Sequence, residues 1–122
     1  MPITRVVFFR EKSGGVPFLE WFERLPSHAK DQCVAKLSLL RDKGHELRRP
    51  AAENLGGGIY ELRPKSRGVN YRVLYFFHGR EVAILSHGIQ KQQERVPAKE
   101  IALAKSRMDI FKVDPKLHTF EE

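Results

Sequence analysis

The chain has 122 residues, with 41% hydrophobic and 30% charged side chains, the size and make-up of one globular domain and not of a disordered or low-complexity segment. Lys and Arg number 22 against 15 Asp and Glu, a net charge of +7 that suits a polyanionic partner without specifying one. The single cysteine, Cys33, excludes an internal disulfide and a cysteine-based metal site, which points to a reducing cytoplasm.

Ile3 to Phe9 is rich in β-branched and aromatic residues and predicts a first strand. Its apolar core, Val6 to Phe9, is closed at once by Arg10, Glu11 and Lys12. That is too short for a signal peptide, and no run approaches the roughly 18 apolar residues of a membrane helix, so neither export nor a membrane partner is expected. Ser13-Gly14-Gly15 breaks the strand. Pro17 suits the first turn of a helix, where a missing N–H costs nothing, and Phe18, Trp21, Phe22 and Leu25 give that helix one apolar face. Leu25-Pro26 ends it. Ser27 is read as the cap of a second helix with the stripe Ala29, Cys33, Leu37 and Leu40, stopped by Gly44. So short a connection predicts an αα-hairpin.

His45 to Gly58 reads as irregular, with Gly56-Gly57-Gly58 a permissive turn before the next strand. Three strands are then predicted: Ile59 to Arg63, Val69 to Phe77 and Val82 to His87, with a tight turn at His78-Gly79. Pro97 opens a last helix bearing Ile101, Ala104, Met108 and Phe111 on one side, ended by Asp114-Pro115. The expected order is β-α-α-β-β-β-α: an α+β domain over residues 1–115, with a small antiparallel twisted sheet and its helices on one face. The tail, 116–122, is expected to fray.

Alternation puts Tyr60 and Leu62 on one face of their strand and Glu61 and Arg63 on the other. In the long strand, Arg72 sits opposite in phase to Tyr71, Val73 and Tyr75. With Tyr60, Leu62, Val73 and Tyr75 toward the helices, Glu61, Arg63 and Arg72 gather on an open face. They form either a solvated set of cross-strand ion pairs or a site. An exposed Arg72 would cost little stability to remove. Lys65, Arg67, Lys91 and Arg95 lie near the strand ends and either extend these cations into a basic concavity suited to a phosphate backbone or belong to a generic basic surface. His87 is a candidate acid or base. No histidine pair has metal-ligand spacing and the glycine run leads into a strand, so no metal or cofactor is expected.

Leu55-Gly56-Gly57-Gly58-Ile59-Tyr60-Glu61-Leu62-Arg63, Asn70-Tyr71-Arg72-Val73-Leu74-Tyr75, Leu85-Ser86-His87-Gly88-Ile89-Gln90-Lys91 and Pro97-Ala98-Lys99-Glu100-Ile101-Ala102-Leu103-Ala104 resemble, in order and spacing, the RelE/HigB-like toxin superfamily, nearest its phage-derived HigB-like branch. The resemblance implies the toxin of a type II toxin–antitoxin system. Such a toxin is a metal-independent endoribonuclease, an mRNA interferase cutting mRNA on the ribosome, held inactive by a cognate antitoxin of helix-turn-helix type. It implies attack of the RNA 2′-hydroxyl on the adjacent phosphate, leaving a 2′,3′-cyclic phosphate, with arginine stabilising the phosphorane. On that resemblance Arg72 matches the family's strand arginine, Arg63 stands where relatives carry a strand lysine, and Lys91 falls near a basic residue after the last strand. Glu61 or His87 would be the general base, and Lys65, Arg67 and Arg95 would bind RNA. The chain departs from the pattern in three places. Glu61 stands where RelE itself carries a second lysine, although a Glu is usual there in the phage-derived branch; Val96 and Pro97 stand where some relatives have a tyrosine, and Gln92 follows Lys91 in place of a lysine. Two other functions fit the same scaffold: a ParE-like inhibitor of DNA gyrase, and a non-catalytic phage-derived binding protein or decayed toxin.

Overall fold

The computed structural model describes residues 3–91 and 95–121. Strand β1 (Arg5–Phe9) leads to helices α1 (Pro17–Glu23) and α2 (Ser27–Lys43), followed by one 3₁₀ turn (Gly44–Glu46). Strands β2 (Ala52–Gly56), β3 (Ile59–Leu62), β4 (Lys65–Ser66), β5 (Val69–His78) and β6 (Val82–Gln90) come next. Helix α3 (Ala98–Val113) and strand β7 (Thr119–Phe120) complete the chain. The sheet runs β2-β3-β5-β6-β1-β7, with β4 paired to β5 off this path.

This is an α+β fold, but four features depart from the expected one. The sheet is mixed, because β1 inserts parallel to β6 in the register Val7↔Ile84 while its other pairs are antiparallel. Three strands, β2, β4 and β7, escape the sequence pattern. The helices lie on both faces. Val73, Tyr75, Leu62 and Leu85 pack with Phe18 and Leu40 of α1 and α2, whereas Leu74, Phe76, Ile59 and Ile84 pack with Ala104 and Phe111 of α3. Two apolar layers on one sheet explain why β5 reads as an almost unbroken apolar run. Finally, the tail is tied down instead of frayed. Phe120 pairs with Phe8, His118 is buried with Nδ1 2.8 Å from the Arg10 carbonyl, and Glu121 grips Arg5 through two contacts of 2.7 and 2.8 Å.

Local chemistry sets the turns. Gly56 pairs with Ile59, so Gly57 and Gly58 alone make the β2–β3 turn, with φ of +63° and +88°. Positive φ at both central residues is the type I′ requirement, which glycine meets without strain. Arg67 and Gly68 repeat it between β4 and β5, at +50° and +80°. The β5–β6 connection is longer than the tight turn expected, with His78 pairing Val82 across Gly79, Arg80 and Glu81. Ser27 is the first residue of α2 and makes no side-chain cap; Pro26 holds the cap position.

In β6, Leu74 pairs with His87 but Tyr75 pairs with Leu85, leaving Ser86 as a bulge. The bulge reverses the alternation beyond it. His87 and Ile89 therefore turn to the α3 face, and Gly88 turns to α1. There the Trp21 indole lies so close that a Cβ on Gly88 would sit 2.2 Å from it. Gly88→Ala is expected to cost about 1–3 kcal/mol by overpacking. A lowered urea midpoint together with altered Trp21 fluorescence would report it; an unchanged midpoint would show that the indole is free to move aside.

Candidate functional site

Glu61 and Arg72 share a face, as alternation requires, but the face is covered by the start of α3 and is not open. Leu74 is the register partner of Glu61, so Arg72, two residues earlier on β5, reaches it diagonally. Arg72 Nε lies 3.3 Å from Glu61 Oε1, and each residue is 4% exposed. The guanidinium also donates through Nη1 to the Tyr71 carbonyl at 2.7 Å. The pair is close but incompletely satisfied, since Glu61 Oε2 and Arg72 Nε lack hydrogen-bond partners among the described residues. Burial pushes the Glu61 carboxyl above its ordinary value, with Arg72, then Arg63 and Lys91, pulling the other way. Burial likewise lowers Arg72, and Glu61 partly restores it.

A cleft of 190 Å³ opens over Glu61. Its walls include Arg63, Lys91 and Arg95, with Glu53, Leu55, Val96 and Ile101 completing it. Arg63 is fixed by its backbone N–H, which donates to the Ala51 carbonyl at 2.9 Å. Lys91 is fixed in the same way against the Asn70 carbonyl at 2.8 Å. Glu53, the cross-strand partner of Glu61, stands 4.0 Å from Arg63 and is hydrogen-bonded to Arg49. That hydrogen bond is the main reason its carboxyl lies below the ordinary value. The cleft thus holds three cations and two carboxylates, one of which has an unpartnered oxygen.

Of the residues singled out in the sequence, Glu61, Arg63, Lys91 and Arg95 meet at this cleft, with Arg72 paired behind Glu61. His87 does not join them. It is buried, with Nδ1 2.8 Å from Ser86 Oγ and Nε2 3.1 Å from Glu100 Oε1 on α3. Arg107 of α3 lies 3.3 Å from the Ser86 carbonyl. Burial first, then Arg107, lowers His87 below its ordinary value, with Glu100 opposing. Lys65 and Arg67 are exposed on the β4–β5 hairpin and do not line the cleft. That hairpin is held to α2 by a hydrogen bond between Ser66 Oγ and His28 Nδ1. Gln92 lies outside the described residues. Glu53, Glu100 and Arg107 were missed in the sequence. Glu53 sits in a stretch without strand pattern, and the other two act on residues of another element. Among the described residues, no group of three His, Cys, Asp or Glu is placed to hold a metal. Among them, too, no helix is long and apolar enough to cross a membrane.

This cleft, at the joint of a small mixed sheet and a C-terminal helix, is carried by residues that a known family pattern spans. The family model Phage derived protein Gp49-like (DUF891) matches residues 20–109, and the chain belongs to that family. No curated protein matches the chain.

Since Arg72 is buried and paired, its removal strands a buried carboxylate, contrary to the small cost expected of an exposed arginine. Arg72→Ala should lower stability by about 3–5 kcal/mol, with Glu61→Gln in the same chain recovering part of it. Chemical denaturation of the single and double variants tests this, and no recovery in the double variant would mean the pair does not couple. His87 gives a pH signature. Its folded value is depressed, so the stability contributed by the neutral ring is complete above pH 6.5 and is lost as the pH falls through the folded value. His87→Gln should flatten the fall in denaturation midpoint below pH 6.5 relative to wild type; parallel curves would contradict the assignment.

Proposed function

We propose that the protein is the toxin of a type II toxin–antitoxin pair, a metal-independent endoribonuclease that acts in the cytoplasm on mRNA engaged by the ribosome. Two things support the reading. The Gp49-like family is one of toxin-like proteins in toxin–antitoxin systems, and the cleft gathers cations around a buried carboxylate. The observation that carries it is the meeting of Arg63, Lys91 and Arg95 over the Glu61 carboxylate.

In this reading the Glu61 carboxylate takes the proton of the RNA 2′-hydroxyl, and the 2′-oxygen attacks the adjacent phosphorus. Arg63, Lys91 and Arg95 hold the non-bridging oxygens as charge builds on the phosphorane. The 5′-oxygen departs as a hydroxyl, taking its proton from solvent water, and Glu61 returns the 2′-hydroxyl proton to that solvent, so that a 2′,3′-cyclic phosphate remains. A carboxylate with a raised value is a stronger base than an ordinary surface carboxylate. Glu61 is favoured over His87 because His87 Nε2 is engaged by Glu100 and lies outside the cleft. Arg72 is a positioning residue that fixes the Glu61 carboxylate from behind. Lys65 and Arg67 serve longer-range attraction of RNA, and a helix-turn-helix antitoxin is the expected partner.

The test is inducible expression without a partner protein, with primer extension on a bystander transcript. Growth arrest with discrete mRNA breaks is expected. Arg63→Ala or Lys91→Ala should each reduce cleavage by about 10²-fold if each stabilises the phosphorane. Glu61→Gln should remove the rising acid limb of the pH–rate profile, measured where circular dichroism shows the variant folded, since the change leaves Arg72 buried without its charge partner. Intact mRNA with DNA breaks and an SOS response would instead identify a gyrase inhibitor. No toxicity at all would identify a binding protein.

A further inference from the structure

The cleft over Glu61 contains an anion that the proposed reaction does not use. Glu53 of β2 lines it, beside the cations Arg63, Lys91 and Arg95. Glu53 is the register partner of Glu61, so two carboxylates stand opposite each other on neighbouring strands, an arrangement that costs stability by itself. Two arginines hold Glu53 there. Arg49, four residues earlier, does not line the cleft and donates from Nη2 to Glu53 Oε1. Arg63, inside the cleft, has Nη1 4.0 Å from Glu53 Oε2. The Arg63 contact is the looser of the two, beyond hydrogen-bond length. The side chains of Glu53 and Arg63 are 28% and 27% exposed, so the two can part into water without a large desolvation cost.

We propose that Glu53 is a displaceable internal anion. In the free protein it rests on Arg63; an entering RNA phosphate takes its place there, and Glu53 stays on Arg49. The proposal rests on the reading of the cleft as an RNA site and adds to it the device that regulates entry. A carboxylate and a phosphate on one guanidinium repel each other, so the phosphate binds against Glu53 until Glu53 withdraws. The charges that face Glu53 permit the withdrawal. Arg49, Arg63 and Lys91 attract it, and Glu61 across the strand pair repels it. Filling Arg63 with phosphate leaves Arg49 as the cation nearest to hand. Arg49 is thus a positioning residue that acts on RNA through Glu53.

The probe is a labelled 2′-O-methyl RNA oligonucleotide, which has no nucleophilic hydroxyl and stays intact, followed by fluorescence anisotropy against the full chain at low salt. Glu53→Gln should tighten binding about 2- to 5-fold, the worth of an exposed ion pair, and the gain should vanish when Arg63→Ala is also present. Arg49→Ala should weaken binding in the wild-type chain and have no effect beside Glu53→Gln, whereas an arginine that touches RNA directly would matter in both. Glu53→Ser serves the same comparisons should the Gln variant fail to fold. Unchanged binding by Glu53→Gln would overturn the proposal, as would a gain that persists undiminished with Arg63→Ala, since net charge alone would then explain it. Either result beside intact cleavage of a bystander transcript would leave the ribonuclease reading standing. The expected pattern without any cleavage of unmodified RNA would support the displaceable anion and overturn the ribonuclease. No binding by any of the chains would overturn both.

Discussion

A buried ion pair sets the geometry on which the rest depends. The face of β5 that carries Leu74 and Phe76 is apolar, and Arg72 is the charge on it that must be compensated. Desolvating a guanidinium and a carboxylate costs several kcal/mol each in rough terms, and their mutual attraction returns this only when the geometry holds. The compensation comes from one residue, Glu61, on the neighbouring strand. A slip of β3 by one residue would move Glu61 to the α1–α2 face and leave Arg72 buried alone. The pair therefore specifies the β3–β5 register more sharply than the short strand β3 could through its backbone bonds. It also explains why the carboxylate is chemically unusual. Burial raises it, while Arg72, and after it Arg63 and Lys91, pull the other way.

What could be read in the sequence divides along the same line. Local periodicity placed Glu61 and Arg72 on one face and gave α3 its inner stripe, and both hold. The stripe Ile101, Ala104, Met108 and Phe111 is the one packed into the second core. What periodicity does not contain is the side of the sheet on which a helix lands. The site was therefore expected on an open face, when α3 closes that face. The mixed sheet escaped for a related reason. Nothing within Arg5–Phe9 distinguishes a strand that pairs parallel to a segment far along the chain from one that begins a meander.

The missed strands and the displaced histidine have separate causes. Strand β2, Ala-Glu-Asn-Leu-Gly, has little strand propensity and exists because β3 and the glycine turn bring a partner to it. Strand β7 has two residues, and its order comes from the Arg5–Glu121 pair and from His118 stacked on Phe9 at 5.4 Å. The sequence offers His87 as a candidate acid or base at the end of its predicted strand. A single bulged residue, Ser86, decides instead that its ring meets Glu100. Bulges carry no reliable sequence mark, so a side chain beyond one is assigned to a face only by coordinates.

Helix α3 joins these parts because its 3.6-residue period lets one element face three surroundings. Glu100 and Ile101 of its first turns hold His87 and wall the cleft, Ala104 and Phe111 fill the core, and Leu103 and Ile110 look outward. The side chains between them tie the helix to the bulged strand, with Arg107 reaching both the Ser86 carbonyl and the Phe9 ring. A helix so pinned cannot slide along the sheet without breaking the Glu100–His87 contact and opening the wall over Glu61. A closely packed core transmits such a shift instead of absorbing it. The wall of the cleft and the stripe in the core are thus separate faces of one element.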